Sequence, residues 1–339
     1  MNENPSYDRK KSPQLRIAIT PYCNVNPPCV YCRPGGEGYH ENLNERMTRE
    51  EIKQIVSICA EVGITYVKFT GGEPLLREDI IDIISDIRSL GTIKDLQLVT
   101  NGILLAGFAH QLKNTGLTSI TVSIDTVNEA NYEKIKHTKL KLIIEGLKKC
   151  REAGLPVVIN SLIRRSNKND LPGLIKLAEE TGAKLKLLNL MDTKGDAAFF
   201  KAEFYDFAIL RRKFFDKISV YKGYEEAPGK VGAPLFKYIL PSGLQVLLYD
   251  FNLGACYDYT CFNCRYYPCQ DALISLKLTH DGHLKRCLIR NDNLVDILHP
   301  LRKGDFRKVK KSIQKSFNIS TRAKYYPDVG AMLKKGIKW

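Results

Sequence analysis

The sequence predicts an α/β fold, a partial barrel of (β/α)6 type over residues 1–225 followed by a smaller C-terminal domain over residues 226–339. Short apolar runs alternate with helix-period segments from residue 15 to residue 190, as in a parallel sheet with right-handed crossovers. Some runs, such as residues 64–69, are apolar almost throughout, which indicates strands buried on both faces. Polar residues and glycines follow the strands, at the edge where such barrels carry their chemistry.

The predicted elements follow one another with few interruptions. Strands are predicted at residues 15–20, 64–69, 96–100, 119–124, 157–163 and 185–190. Helices are predicted from the capping box at Thr48 to Gly63, and over residues 79–90, 104–114, 131–151 and 171–181. Residues 204–220 predict an aromatic-rich helix, whereas residues 223–243 are rich in turns. The sequence has no G-x-G-x-x-G after the first strand and no G-x-x-x-x-G-K-[ST], which disfavours dinucleotide-binding and P-loop folds.

The composition narrows the class of protein. No apolar run is long enough to cross a membrane, and the N-terminus has no signal-peptide pattern, so we predict a cytoplasmic protein without a membrane partner. In that compartment ten cysteines indicate metal or redox chemistry rather than disulfides, although Cys59 and Cys150 lie on helical stripes and are predicted core residues. The net charge of +15 is spread out, without an RNA-binding aromatic motif. We therefore predict an anionic small-molecule substrate and disfavour a nucleic-acid partner.

The first cysteine group lies in the sequence Thr20-Pro-Tyr-Cys-Asn-Val-Asn-Pro-Pro-Cys-Val-Tyr-Cys32, directly after the first strand. Its asparagines and prolines prevent a helix and predict a turning loop that gathers Cys23, Cys29 and Cys32. Three thiolates on an iron–sulfur cubane leave one iron without a protein ligand, and an open coordination position permits chemistry. Further along the chain stands Thr70-Gly-Gly-Glu-Pro-Leu-Leu-Arg77. The alternative is a zinc loop with an unrelated Gly-Gly turn.

These two motifs together resemble the radical SAM superfamily, whose usual spacing is C-x3-C-x2-C where this chain has C-x5-C-x2-C. The resemblance implies an enzyme with a [4Fe–4S] cluster on the catalytic residues Cys23, Cys29 and Cys32. It also implies S-adenosylmethionine (SAM) as cofactor and an external one-electron reductant of flavodoxin or ferredoxin type. The implied SAM-binding residues are Tyr31, on the adenine, with Gly71, Gly72, Glu73, Pro74, Ser123, Asn160 and Met191. Among these, the carboxylate of Glu73 is expected to bind the SAM ammonium group.

A second cysteine group comprises Cys256, Cys261, Cys264, Cys269 and Cys287. The spacing alone permits a second [4Fe–4S] cluster, a [2Fe–2S] cluster or structural zinc. The segment Leu276-Lys-Leu-Thr-His-Asp-Gly-His-Leu-Lys-Arg-Cys287-Leu is similar to the C-terminal segment of the GTP 3',8-cyclases of molybdenum-cofactor synthesis. That resemblance implies a second [4Fe–4S] cluster on Cys261, Cys264 and Cys287, with an open iron that faces the substrate. Here the gap before Cys287 is longer and contains Cys269, which we predict as a fourth ligand that closes the cluster.

The resemblance to these cyclases runs in order along most of the chain, through Leu15-Arg-Ile-Ala-Ile-Thr, Thr100-Asn-Gly, Val122-Ser-Ile-Asp and Val158-Ile-Asn-Ser. The implied substrate-binding residues are Arg16, Lys68, Arg165, Lys186 and Lys277. They suit a phosphorylated or nucleotide-like substrate of cofactor or natural-product synthesis. The chain departs from the family at Tyr66, Val99 and Ser275, and ends in Gly-Ile-Lys-Trp rather than Gly-Gly. The main prediction is an enzyme that acts on a small anionic substrate. GTP 3',8-cyclisation and peptide modification are alternative reactions, and a non-enzymatic zinc-binding or RNA-binding protein is the alternative from another functional class.

Overall fold

The computed structural model describes residues 12–32, 45–192, 196–226, 231, 234–265, 267, 269, 271 and 275–326. The centre of this part of the chain is a 12-stranded sheet, accompanied by a separate pair formed by the tenth and fourteenth strands. In chain order the strands are β1 (Gln14–Ala18), β2 (Tyr66–Thr70), β3 (Asp95–Thr100), β4 (Ser119–Ser123), β5 (Val157–Ile163), β6 (Lys184–Asn189), β7 (Tyr221–Glu225), β8 (Leu235–Ile239), β9 (Gln245–Tyr249), β10 (Ala255–Tyr257), β11 (Ser275–Leu278), β12 (His283–Lys285), β13 (Val295–Asp296) and β14 (Lys324–Tyr326).

The large sheet is open and mostly parallel. Its strand order is β13–β12–β11–β1–β2–β3–β4–β5–β6–β9–β8–β7, and the described residues do not close it into a ring. Strands β11, β1 to β6 and β9 run parallel to one another. Strands β12 and β13 at one edge, and β8 and β7 at the other, are added in antiparallel pairing. Successive parallel strands joined by helices confirm the predicted α/β partial barrel.

The helices mostly begin and end where local sequence signals predict. The capping box is present at the first helix, because Thr48 Oγ1 accepts from Glu51 N at 3.2 Å and Thr48 N donates to Glu51 Oε2 at 2.7 Å. No described helix is both long enough and apolar enough to cross a membrane. The helices are α1 (Arg49–Val62), α2 (Ile80–Ser89), α3 (Leu105–Asn114), α4 (Glu129–Lys136), α5 (Leu140–Ala153), α6 (Leu171–Thr181), α7 (Ala197–Glu203), α8 (Phe207–Leu210), α9 (Asp216–Ile218), α10 (Tyr259–Phe262), α11 (Leu298–Arg302) and α12 (Phe306–Arg322).

The two faces of the parallel sheet have different chemistry. On the outer face, strand residues such as Leu15, Ile17 and Val67 pack with the helices in one large apolar core, to which the predicted core residues Cys59 and Cys150 also belong. Strand side chains alternate between faces, so the intervening positions lie on the inner face. Many of these positions are polar and only half-buried, among them Arg16, Lys68, Gln97, Ser123 and Asn160. The inner face is therefore a polar surface below the carboxyl ends of the strands.

The C-terminal part of the chain joins this sheet on both sides. Strand β9 pairs with β6, and β11 pairs with β1, so residues beyond 225 extend the parallel sheet at each end. The predicted boundary near residue 225 falls between β7 and β8, where Glu225 is in register with Leu235. The segment predicted to be rich in turns, residues 223–243, also contains most of a hairpin formed by β7 and β8. Its faces include the aromatic pair Tyr224 and Phe236, with ring centroids 5.2 Å apart.

The predicted helix over residues 204–220 is wrong in one respect. The chain leaves helix α7 at Glu203, and a new helix starts after Asp206, whose Oδ1 accepts from Ala208 N at 2.8 Å. A π-helical turn, Arg211–Phe215, separates α8 from α9. The apolar spacing was read as one helix because a local cap at Asp206 interrupts the backbone without interrupting the aromatic pattern.

Candidate active site

The loops that carry the two predicted SAM motifs touch through their backbones. Gly72 N donates to Thr20 O at 2.8 Å, and Glu73 N donates to Tyr22 O at 2.7 Å. Gly71 has a φ of +142°, which favours glycine, and a Cβ there would lie 2.4 Å from Thr20 O. A Cβ on Gly72 would lie 2.0 Å from Tyr22 O. Both glycines are needed because the loop after β2 packs directly against the loop after β1.

The buried carboxylate of Glu73 is oriented by three donors. It accepts hydrogen bonds from Leu75 N at 3.1 Å, Thr100 Oγ1 at 2.7 Å and Asn101 N at 2.7 Å. Burial raises the pKa of Glu73, and these hydrogen bonds oppose the increase. A carboxylate has about four acceptor positions, so one remains for a ligand ammonium group. Pro74 begins a short 3-10 helix, Pro74–Leu76, immediately after it.

The first cysteine group lies on the loop after β1. Cys32 N donates to Cys29 O at 2.8 Å, which brings these two residues into one turn. Asn101, from the loop after β3, places Nδ2 2.7 Å from Asn24 Oδ1 and 3.7 Å from Cys23 Sγ. Burial raises the pKa of the Cys29 thiol. The loops after β1, β2 and β3 therefore meet at the edge of the sheet that carries the three cysteines, as the parallel topology predicts.

A buried hydrogen-bond network fixes Tyr31 beside the cysteines. Its hydroxyl donates to the Asp125 carboxylate and accepts from Lys136 Nζ at 2.6 Å. Lys136 Nζ lies 3.3 Å from Asp125 Oδ2, and both side chains are at most 4% exposed. Asp125 Oδ1 also accepts from Leu162 N at 2.9 Å, while the Arg164 guanidinium lies 5.7 Å from the Tyr31 ring centroid. The structure thus joins the cysteine loop to the ends of β4 and β5.

Three residues of this network, Asp125, Lys136 and Arg164, are not predicted from the sequence. Asp125 follows the end of β4 and stands two residues after Ser123, so its position at a strand end was a usable signal. Lys136 ends a helix with a charged sequence, and nothing local distinguishes a buried lysine from a solvated one. Arg164 was passed over in favour of its neighbour Arg165.

A second set of predicted SAM residues is in register across the sheet. Ser123 on β4 pairs with Asn160 on β5, which in turn pairs with Lys186 on β6. Asn160 Oδ1 is buried and has no hydrogen-bond partner among the described residues. Buried acceptors are rarely left without a donor, so this atom marks a position where a ligand donor would fit. Met191 is half-buried and follows the end of β6.

Four of the five predicted substrate residues lie on the inner face. Arg16 on β1 is in register with Lys68 on β2 and with Lys277 on β11. Lys277 Nζ lies 3.6 Å from Asp271 Oδ1, so part of its charge is balanced within the protein. Burial lowers the pKa of Lys186 to about 8, and the positive charge of Arg16 lowers it as well. The charge of Arg16 on β1 therefore influences the protonation of Lys186 on β6, across the inner face.

Arg165 is placed apart from these cations. It is exposed in the loop after β5, and its Nε donates to Phe204 O at 2.9 Å. With Lys168, Tyr205 and Asp206 it lines an open cavity of about 280 Å³. The structure therefore groups Arg16, Lys68, Lys186 and Lys277 on the inner face, whereas Arg165 lies in the loop after β5 beside a separate cavity.

Four of the five cysteines of the second group line one small cavity. Its volume is about 40 Å³, and its lining residues are Thr260, Cys261, Cys264, Tyr267, Cys269, Arg286, Cys287, Ile289, Arg290 and Asn293. None of the ten cysteines, all of which the structure describes, forms a disulfide. Nor do any three of the described Cys, His, Asp and Glu side chains converge on a single-ion site.

The residues near the first cysteine group fit an iron–sulfur cluster with a small polar ligand. The three thiols supply the soft donors that such clusters need. Glu73 and Asn160 offer acceptors for a ligand's donors. An open parallel sheet with a three-cysteine loop and a Gly-Gly-Glu-Pro loop at its carboxyl edge defines the radical SAM class of enzymes.

Comparisons with known proteins agree with that class. The sequence model of the radical SAM superfamily matches residues 17–178. A probable GTP 3',8-cyclase of Methanocaldococcus jannaschii is 35% identical over 295 residues, which cover 86% of this chain and 90% of that protein. Another, of Pyrococcus abyssi, is 36% identical over 294 residues, covering 86% of this chain and 89% of that protein. The chain therefore belongs to the radical SAM superfamily and, within it, to the family of these probable GTP 3',8-cyclases.

Solved structures support the same fold. Streptococcus suis SuiB bound to S-adenosylmethionine is similar with a TM-score of 0.61 at 17% identity, over 86% of this chain and 64% of SuiB. The SAM-bound enzyme anSMEcpe is similar with a TM-score of 0.57 at 14% identity, over 90% of this chain and 82% of that chain. As a member of the superfamily, the protein is an enzyme that uses SAM and an iron–sulfur cluster.

Proposed function

We propose that this enzyme is a GTP 3',8-cyclase that carries two [4Fe–4S] clusters. The observation that carries the proposal is the 35% identity to the probable cyclase of Methanocaldococcus jannaschii over 90% of that protein's length. The match includes both the parallel strands and the C-terminal cysteine segment, so it is not confined to the part that all radical SAM enzymes share.

The first cluster would be held by Cys23, Cys29 and Cys32. With SAM bound and one electron from an external donor, it would cleave SAM to methionine and a 5'-deoxyadenosyl radical, which would take a hydrogen atom from the substrate. The carboxylate of Glu73 would accept from the SAM ammonium, and its orientation is already set by Thr100 and Asn101. Ser123, Asn160 and Met191 would contact the rest of SAM, with the Asn160 acceptor oriented for a donor. Tyr31, fixed by its network, would border the adenine.

The substrate would be held on the inner face by the cations near β1. Arg16, Lys68 and Lys186 place positive charge there, and hydrogen bonds between cations and phosphate oxygens are stronger than neutral ones. The charge on Lys277 is partly balanced by Asp271, so we assign it a smaller share. Val99 lies half-buried on the same face, and its side chain offers the base no hydrogen-bond donor.

The second cluster would be held by the C-terminal cysteines, whose thiols share one cavity. An external one-electron donor of flavodoxin or ferredoxin type would reduce the enzyme. The compartment we propose is the cytoplasm, because thiols stay reduced there and can serve as cluster ligands.

The proposal is tested with anaerobically reconstituted enzyme, dithionite and SAM, by measuring 5'-deoxyadenosine and cyclised nucleotide. We expect both products with GTP, and only slow SAM cleavage without a nucleotide product when ATP replaces GTP. ATP is the matched control because it carries the same triphosphate. Equal 5'-deoxyadenosine from GTP and ATP, with no cyclised product from either, would identify the substrate as a different anion.

The anion site has its own test. Lys68→Ala is expected to raise the KM for GTP by about tenfold or more, because a lost charge-assisted hydrogen bond is worth about 1.5–3 kcal/mol. SAM affinity should stay unchanged. Lys184→Ala is the matched control, since Lys184 is an exposed lysine of the same sheet. Equal KM values for the two variants would remove Lys68 from the site.

A further inference from the structure

Four of the five C-terminal cysteines lie around a single small cavity. Cys261, Cys264, Cys269 and Cys287 all line it, whereas the remaining cysteine of the group, Cys256, does not. A [4Fe–4S] cluster has four irons, and four thiolates occupy every one of them. We infer that Cys269 is the fourth ligand of the second cluster, so that no iron of this cluster is open to substrate. The inference rests on the second cluster of the proposed function but not on GTP as the substrate.

The backbone positions of the four cysteines are set by separate anchors. Cys261 and Cys264 share a turn, because Cys264 N donates to Cys261 O at 2.9 Å. That turn begins at Asp258, whose Oδ1 accepts from Thr260 N at 3.0 Å and caps helix α10. Cys287 stands in the bend after β12 and also lines the cavity.

The segment that carries Cys269 is tied down at two points. Cys269 N donates to the hydroxyl of Tyr257 at 3.0 Å, and the same hydroxyl donates to Cys269 O. Tyr257 is only 1% exposed, so this anchor belongs to the protein interior. Two residues further on, the Asp271 carboxylate accepts from Leu288 N and pairs with Lys277. These contacts hold Cys269 against the bend that carries Cys287, as a ligand position requires.

The charge around the cavity suits a fully thiolate-ligated cluster. Arg286 and Arg290 line the cavity together with the cysteines, and Arg290 interacts with the Cys264 thiol. A fourth thiolate adds negative charge to the cluster, and guanidinium donors stabilise that charge and tune the reduction potential. The substrate would then be held by the inner-face cations and not by an iron of this cluster.

Cys256 provides a matched control. It is buried on β10, where its backbone pairs with β14, and it lies outside the lining of the cavity. Substituting it changes a buried thiol of the same group without touching the four proposed ligands.

The experiment uses full-length protein in which Cys23, Cys29 and Cys32 are all replaced by alanine, so that only the second cluster forms. Iron and sulfide are counted, and the electron paramagnetic resonance (EPR) spectrum of the reduced cluster is recorded before and after adding imidazole. We expect about four irons per chain and no change of the spectrum with imidazole, because no iron is open. Adding Cys269→Ala opens one iron, so the spectrum should then shift with imidazole, whereas adding Cys256→Ala should leave it insensitive.

Cys269→Ser is a second test for the case in which the alanine variant loses the whole cluster. A serine oxygen keeps the cluster in place but shifts its spectrum before any imidazole is added. The protein with Cys23, Cys29 and Cys32 replaced by alanine is the parent of these variants. The inference is overturned if the EPR spectrum of the parent already responds to imidazole, or if adding Cys269→Ala or Cys269→Ser leaves that spectrum unchanged. If the parent protein contains no iron, no second cluster forms and the inference is also wrong. These spectra do not depend on whether GTP is the substrate. The proposed function and the proposed role of Cys269 can therefore be rejected independently.

Discussion

The two cysteine groups are held by different kinds of structure. The first offers three thiols on one loop, which is fixed by backbone contacts from the glycine loop and by the side chain of Asn101. The second offers four thiols from separate segments around one cavity, with Tyr257 and Asp271 as anchors. We propose that the three thiols of the first group leave one iron of their cluster free to bind SAM, whereas the four thiols of the second group occupy every iron of theirs. One chain therefore builds a reactive site and an unreactive one from the same donor atom, by changing only how many thiols converge.

The largest expected effect separates the two groups by SAM cleavage. Cys29→Ala removes one of three ligands of the first cluster, so the reconstituted variant should lose 5'-deoxyadenosine formation completely. Cys264→Ala, in the second group, should keep 5'-deoxyadenosine formation within a few-fold, because the first cluster and its SAM site stay intact. The 5'-deoxyadenosine is measured by liquid chromatography and mass spectrometry. If Cys264→Ala also abolishes SAM cleavage, the two groups do not have separate tasks.

The next effect tests the backbone contacts that only the first group uses. Gly72→Ala forces a Cβ to within 2.0 Å of Tyr22 O, and relief of such an overlap costs about 3 kcal/mol. We expect a matching loss of stability in urea unfolding of the reduced protein, together with weaker SAM binding. Gly107→Ala is the control, because it lies in helix α3 with nothing within 4 Å, and should stabilise slightly. Equal unfolding midpoints for the two variants would contradict the close packing of the loops.

The buried ion pair beside Tyr31 gives a related prediction. Lys136→Met leaves Asp125 buried without its cationic partner, which costs about 3–5 kcal/mol. The double variant Asp125→Asn, Lys136→Met should regain part of this loss, because no unpaired charge remains. Lys149→Met breaks an exposed pair with Glu152 and should leave the unfolding midpoint unchanged. The second cluster's spectrum should be the same in all of these variants, and a change there would show that the two regions are not independent.

The smallest expected effect concerns pH. The pKa of Lys186 is lowered to about 8, so this lysine loses its charge as the pH rises from 7 to 9. A neutral amine no longer attracts a phosphate, and GTP affinity should therefore fall by about fivefold over that range. Lys186→Arg keeps its charge and should remove this component, while the titration of GTP itself is common to both proteins. Isothermal titration at several pH values gives the comparison, and identical slopes would exclude Lys186 as a phosphate ligand.

Much of the fold follows from local sequence. Strand β5 (Val157–Ile163) and helix α6 (Leu171–Thr181) occur at the predicted residues, because alternation and helical spacing are local properties. Strand β11 was not predicted, since four residues carry little periodicity and its partner β1 is distant in the sequence. Motif glycines could be predicted because a missing Cβ is visible in the sequence. The burial of Lys136 could not, because it depends on tertiary contacts with Tyr31 and Asp125.

The pairing of β1 with β11 has a consequence for how the protein is made. Synthesis proceeds from the amino end, so β1 and its neighbours emerge well before Ser275–Leu278 are available. Until then β1 is an edge strand with unpaired backbone amide and carbonyl groups, which can pair with other nascent chains. Chain termination at residue 225 would make this condition permanent on both flanks, because β9 would also be missing beside β6. The C-terminal segment therefore covers both edges of the parallel sheet, beside β1 and beside β6, and supplying it as a separate peptide should rescue the truncated protein from aggregation.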